Sequence, residues 1–276
     1  IRLITTPPDP IVGIHLDLKY LVPDKAYLRR WVGELPSLGI NTLLIEYEDS
    51  FPFEKYPFLR AADAFSPDEL RTFLATAREA GLAVIPLVQT LSHLEFALAH
   101  EELAHLREAP EILTQIDTEN PEARELVHDL IGEVLAFHEP DAFFHLGGDE
   151  AWHLGHNEQT KAAVDQAGKT AYWAAHEKRF IDQVIGAGKR PILWDDLFWS
   201  DPEAARETDL PRETVLAAWA YGVEHGKDHL RNLRRMDVEQ EAGFDVLGAP
   251  CLNWGVTVPR HEHCLRNTDA HADKVR

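Results

Sequence analysis

The sequence predicts an α/β fold, a (β/α)8 TIM barrel in a single catalytic domain over residues 1–276. Three observations lead there. Strand-like and helix-like segments alternate along the chain, as in repeated βα units. The strand-like segments are apolar, as parallel strands covered on both faces must be. Polar and aromatic residues collect just past the C-terminal end of each strand, the rim on which barrels build their sites.

The first strand is Ile11–Leu18, followed by a helix from about Asp24 to Leu38 that Gly39 stops. Thr42–Glu48 is the second strand, and an aromatic, proline-rich loop, Phe51–Phe58, follows it. The next helix starts at Ser66-Pro67-Asp68-Glu69, a capping residue, a first-turn proline and two acids at the positive helix end, and it ends at Gly81. Ala83–Gln89 is the third strand and runs on into Thr90-Leu-Ser-His93. A mixed segment, Leu94–Thr118, precedes a helix from Pro121 to about Phe137 and a fourth strand, Ala142–Leu146. Polar, histidine-rich residues up to Gly168 predict an extended loop with a helical part, and a helix from about Thr170 to Ile185 follows. Arg190–Asp196, Thr214–Tyr221 and Phe244–Pro250 complete seven strands. The eighth is absent: after Cys251-Leu-Asn-Trp-Gly255 the residues are polar and show no strand pattern. Seven strands leave two unpaired edges, so the expectation is a gap in the barrel and a natural chain that continues.

A net charge of −20 disfavours nucleic-acid partners, whose phosphates would be repelled. No apolar run is long enough for a membrane span, and no signal-peptide pattern opens the chain, although its first residue is Ile1 rather than Met. Cys251 and Cys264 show neither metal-finger nor disulfide-framework spacing and read as thiols of a reducing, cytoplasmic compartment. No cofactor is expected, a small carbohydrate or glycoconjugate is the expected partner, and a homo-oligomer is left open.

The chain is organised around Asp141-Ala-Phe-Phe-His-Leu-Gly-Gly-Asp149-Glu150, a buried strand that ends in two glycines and two carboxylates. The glycines permit a turn closed to other residues, so Asp149 and Glu150 are delivered into a cavity. His145, inside the strand, reads as a hydrogen-bonded core histidine, whereas His93 stands at a strand end. Asp17, Glu46 with Glu48, Trp194 with Asp195 and Asp196, Trp219 with Tyr221, and Asn253 with Trp254 stand at other strand ends, tryptophan faces suiting a sugar ring and carboxylates its hydroxyls. Consecutive Cα atoms are only about 3.8 Å apart. Ordinary retaining glycosidases place their acid and nucleophile about 5–5.5 Å apart across the scissile bond. Neighbours in sequence therefore suit a mechanism in which the substrate brings its own nucleophile.

His145-Leu-Gly-Gly-Asp-Glu150 resembles the signature of glycoside hydrolase family 20, the β-N-acetylhexosaminidases. Ile45–Phe53, Val84–Phe96, Ala104–Glu108 and Leu193–Asp196 are similar to the hexosaminidase D branch. The resemblance implies an exo-acting, retaining hydrolysis of terminal β-linked GlcNAc or GalNAc through an oxazolinium ion formed by the substrate's acetamido oxygen. It makes Asp149 the partner of the acetamido N–H and Glu150 the general acid and then base, with the negative Asp149 helping to keep Glu150 protonated. It further implies that Trp194 and Trp219 wall the acetamido group, that Tyr221 donates to its oxygen and that His93 supports the carboxylates. Many members carry arginine where Val12 stands, so hydroxyl recognition falls to Asp17, Glu48 or Asp195. Two rival readings remain at this stage. A metal-dependent barrel would use His15, His93, His145, His153 or His156, but the first strand lacks paired histidines. A non-catalytic carbohydrate-binding barrel would keep the tryptophans without needing adjacent carboxylates.

Overall fold

A computed structural model of the chain describes residues 10–19, 22–220, 233–251 and 268. Seven strands, β1 (Gly13–Asp17), β2 (Thr42–Glu46), β3 (Ala83–Leu87), β4 (Phe143–His145), β5 (Arg190–Trp194), β6 (Val215–Trp219) and β7 (Asp245–Ala249), form one sheet in sequence order. Every neighbouring pair is parallel. Among the described residues there is no eighth strand, and β1 and β7 are the two ends of the sheet.

The helices are α1 (Lys25–Glu34), α2 (Pro67–Glu79), the single turn α3 (Glu95–Leu98), α4 (Pro121–Phe137), α5 (Glu158–Ala167), α6 (Lys169–Gly186), the single turn α7 (Ala204–Glu207) and α8 (Arg235–Glu241). Their starts follow from local chemistry. Asp24 accepts from the backbone N–H groups of Ala26 and Tyr27, Ser66 and Glu69 form a capping box around Pro67, and Asn120 and Asn157 cap α4 and α5. The first helix ends at Glu34 and tightens into a 3-10 turn, Leu35–Leu38, which Gly39 closes at φ 82°.

Alternation along the strands sorts side chains into two cores. Val84, Leu193 and Leu216 point out to a large core shared with Leu70, Phe73, Leu126, Phe180 and other helix residues. Ile85, Leu87, Phe143, Ile192, Trp194, Val215 and Ala217 point inward and pack on one another with Leu44 and Leu247, so the sheet curls until its inner face meets itself.

Two prolines set where the ladder is thin. Val88 N–H donates to His145 O on the β4 side, so by the two-residue period the N–H that Pro86 lacks would have faced β4 as well. The β3–β4 register accordingly holds one pair, Leu87 with His145. Pro191 faces the other way, and the β5–β6 register begins just after it, at Ile192 and Val215.

Most strands end one or two residues earlier than sequence pattern suggests, because the polar residues after them leave the ladder. Glu48 opens a 3-10 turn, Glu48–Ser50, and Asp196 opens another, Asp196–Phe198.

Candidate active site

The turn after β4 is fixed from four sides. Gly147 N–H donates to His145 Nδ1, Trp194 N–H to Gly147 O, and the Trp173 indole N–H to Gly148 O. Gly147 sits at φ 64°, and a Cβ there would lie 1.9 Å from Gln89 Oε1, so this position requires glycine. The turn delivers Glu150 in the left-handed region, at φ 50°. Glu48 after β2 and His93 after β3 share that conformation, at φ 47° and 58°. Three non-glycine residues at three consecutive strand ends thus hold a backbone form that costs of order 1 kcal/mol or more each, which marks this rim as a place where geometry serves something other than stability.

His93 joins the two carboxylates: its Nε2 lies 3.3 Å from Asp149 Oδ2 and 3.3 Å from Glu150 Oε2. Burial alone would lower the His93 imidazole, but Asp149 and Glu150 outweigh it and carry it up to about 10. The same contact holds Glu150 below the ordinary carboxylate value. The expectation that Asp149 keeps Glu150 protonated is therefore corrected: in the free site the neighbouring cation dominates and Glu150 is a carboxylate. Glu150 is further fixed by its backbone, its N–H donating to Asp196 Oδ2 (3.0 Å) and its carbonyl accepting from Ser92 Oγ (3.2 Å).

His145 is buried and neutral, held down to about 3 by burial, as a core histidine should be. It lies under Trp194, ring centroids 4.3 Å apart, and His15 approaches the same indole from β1 at 6.1 Å. Trp194 thus floors the opening from inside the barrel. Trp219, from β6, packs against Trp199 at 4.3 Å. Asp17 stands at the end of β1, its Oδ1 accepting from Lys19 N–H, and burial raises its carboxyl. Glu48 pairs with Lys19 at 2.8 Å, and burial nevertheless pushes it up to about 7, Lys19 offsetting only part. Tyr221 lies outside the described residues, as do Asn253 and Trp254. Val12, 43% exposed, precedes β1 at the end of the strand opposite the carboxylates.

Asp195 is the one described candidate that the fold takes away from the opening. It is fully buried, and both its oxygens are held by the Arg235 guanidinium on α8, Nη2 to Oδ1 at 2.7 Å and Nε to Oδ2. The reason is the pleat: Trp194 faces the barrel interior, so Asp195 faces the helices and Asp196 faces inward again. Asp196, read from sequence only as a strand-end residue beside Asp195, is the one that takes the inward place. Besides supporting Glu150, it lies close enough to Asp149 that burial and that neighbour push its carboxyl well above the carboxylate range.

Glu46 was likewise noted only for its place at a strand end, and Gln89 was missed. Glu46 receives Gln89 Nε2 at 2.8 Å and faces His15 Nε2 at 3.3 Å. Burial opposes its charge, but His15 and Gln89 outweigh it and bring it to about 2. Counting two residues on from the inward-facing Leu87 would have found Gln89. Among the described residues no cluster of three or more His, Cys, Asp or Glu side chains could hold a metal ion, and no helix is long and apolar enough to cross a membrane.

Known proteins resemble this chain in sequence and in fold. Residues 46–240 match the model of the glycosyl hydrolase family 20 catalytic domain. Hexosaminidase D of Bos taurus is 34% identical over 268 residues, covering 92% of this chain and 76% of that protein. Hexosaminidase D of Homo sapiens is 35% identical over 268 residues, and there the chain spans 54% of the relative's length. Among solved structures, the chitobiase of Flavobacterium johnsoniae superposes with a TM-score of 0.74 at 17% identity, over 90% of this chain and 39% of that one. A matched catalytic-domain model over most of the chain and curated relatives above 30% identity together show that this chain belongs to glycosyl hydrolase family 20.

Proposed function

We propose that the protein is an exo-acting, retaining β-N-acetylhexosaminidase that removes terminal β-linked GlcNAc or GalNAc by substrate-assisted catalysis. The observation that carries this reading is that one imidazole nitrogen, His93 Nε2, reaches both Asp149 and Glu150 at 3.3 Å. With one imidazole nitrogen filling the space between these two oxygens, a sugar ring does not fit between them, which favours a nucleophile supplied by the substrate over Asp149. The nucleophile is then the substrate's acetamido carbonyl oxygen. It bonds to the anomeric carbon as the glycosidic bond breaks, and Glu150 gives its proton to the departing oxygen. Asp149, whose Oδ1 is buried without a hydrogen-bond partner, accepts the acetamido N–H and stabilises the positive charge of the oxazolinium ion. Glu150, now a carboxylate, takes a proton from water as the water opens that ion. Because His93 holds Glu150 ionised in the free site, Glu150 gains its proton before the first step, and the charged His93 Nε2 at 3.3 Å is the neighbouring donor.

The test compares aryl β-glycosides that carry an acetamido or a hydroxyl group at carbon 2. Rates lower by several orders of magnitude on the hydroxyl substrate are expected, because it lacks the nucleophile. Equal rates on the two would exclude substrate assistance and return Asp149 to the role of a conventional nucleophile.

A further inference from the structure

Behind the carboxylate turn, α6 presents three polar residues at helix-neighbour spacing, Trp173, His176 and Glu177. All three reach the ends of β3 and β4. Trp173 Nε1 donates to Gly148 O, His176 Nε2 meets Thr90 O at 3.2 Å, and Glu177 Oε2 lies 2.8 Å from Thr90 Oγ1. The same Thr90 hydroxyl lies 2.8 Å from Leu146 O, the carbonyl at which the turn begins.

A hydrogen count at Thr90 decides the state of Glu177. A hydroxyl carries one hydrogen, and Leu146 O, a carbonyl, can only accept it. The second contact, between Thr90 Oγ1 and Glu177 Oε2, is a hydrogen bond only if the proton in it belongs to Glu177. The surroundings agree: Glu177 is fully buried, and among the described residues no cation forms an ion pair with it. The titratable and charged groups that act on it are Asp149 across the turn, which disfavours a second negative charge, and Arg179 on its own helix, which offsets part of this. The adjacent His176 is itself held neutral by burial. On the β5 side the space beside Gly148 is bounded by Leu193. Burial outweighs the Thr90 contact, which favours the anion, and with Asp149 carries Glu177 up to about 8.

We propose that Glu177 is a positioning residue for Asp149, acting as an un-ionised acid that donates to Thr90 and so commits the Thr90 hydroxyl to the Leu146 carbonyl at the root of the turn. Loss of that proton removes the donor, frees Thr90 to rotate towards the new anion, and sets a second negative charge behind Asp149. The clamp has one direction, from α6 through β3 to β4, and it works only while protonated. The catalytic part of this inference rests on the function proposed above. The protonation part does not.

Glu177→Gln tests it, since an amide N–H2 donates to Thr90 as the neutral acid does but does not ionise. On the protein assayed with an aryl N-acetylglucosaminide, Glu177→Gln should retain kcat at pH 6 and hold it to higher pH than the wild type, whose kcat falls as the pH passes about 8. Glu177→Ala and Thr90→Val should lower kcat about ten- to a hundred-fold at every pH, with KM little changed, because the misplaced group is Asp149 rather than a binding surface. Thermal unfolding gives a readout that needs no activity. Glu177 has a folded-state value above its unfolded one, so its contribution is fully present below about 4.5 and is lost as pH rises through about 8. Glu177→Gln should flatten that fall in Tm. A Gln variant as impaired as the Ala variant at pH 6, or one with the wild-type dependence of Tm on pH, would overturn the proposal. A wild type inactive on both acetamido and hydroxyl substrates would count against the function, and the thermal comparison would then decide the protonation of Glu177 alone.

Discussion

Asp149-Glu150 after β4 and Asp195-Asp196 after β5 are the same kind of sequence, two carboxylates directly behind a parallel strand, yet the fold disposes of them differently. Behind β4 the pair follows Gly147 and Gly148, both in the left-handed region at φ 64° and 83°. The turn breaks the two-residue alternation, so both carboxylates arrive at His93. Behind β5 no glycine intervenes and the alternation persists. Trp194 faces in, Asp195 faces out to Arg235, and Asp196 faces in again. An acidic pair at a strand end is split by the pleat unless a turn cancels it, and that difference separates the proposed catalytic pair from a structural residue and a supporting one.

The sharpest way to break the comparison is to neutralise each carboxylate in turn. Glu150→Gln should lower turnover of substrates with poor leaving groups by about 10²–10⁴-fold and harm activated aryl glycosides less, whose leaving groups depart without a proton. Asp149→Asn should slow both substrate types, since in the proposed mechanism every leaving group needs the oxazolinium ion. Steady-state kinetics on a matched pair of aglycones separates the two, and an equal response to the two substitutions would undo the division of labour.

Asp195→Ala should act on stability instead. It removes the carboxylate that takes two hydrogen bonds from the buried Arg235 guanidinium, a loss of about 3–5 kcal/mol by denaturant unfolding, while the protein that remains folded keeps its kcat. A selective loss of kcat with unchanged stability would place Asp195 back among the site residues.

The smallest effect is the most specific in sign. His93 is carried up to about 10 in the folded protein, so its contribution to stability is fully present below the ordinary imidazole value of 6.5 and lost as pH rises through about 10. Exchanging His93 for Gln should therefore lower Tm more at pH 6 than above pH 10, read by thermal unfolding across that range. The opposite dependence would show that the imidazole is not the cation that joins Asp149 and Glu150.

The barrel was legible because its signals are local. Alternating apolar runs, Gly39 and Gly81 after helices, and the capping box at Ser66 and Glu69 mark nearly every element within a few residues. The rim was legible in part, since a residue directly after a strand tends to reach the opening. Asp195 went astray because its partner, Arg235, is forty positions away and nothing near Asp195 announces it. Glu177 escaped notice because a buried acid on a helix carries meaning only once Thr90 and Leu146 are seen beside it. The ionisation of Glu150 was inverted because sequence places Asp149 next to it, whereas the cation that governs it comes from another strand.

The thin ladder between β3 and β4 gives the site a mechanical character. A single register pair and the backbone bond from Val88 N–H to His145 O join these strands, and the bonds that cross above them, Thr90 to Leu146 O, Ser92 to Glu150 O and His93 to both carboxylates, are made by side chains. The sheet is basted here rather than sewn, with stitches that a proton or a substrate can loosen. Amides of β4 and its turn should accordingly exchange hydrogen faster than those of the β1–β2 pair, whose register runs over five residues, and should slow when a sugar occupies the opening.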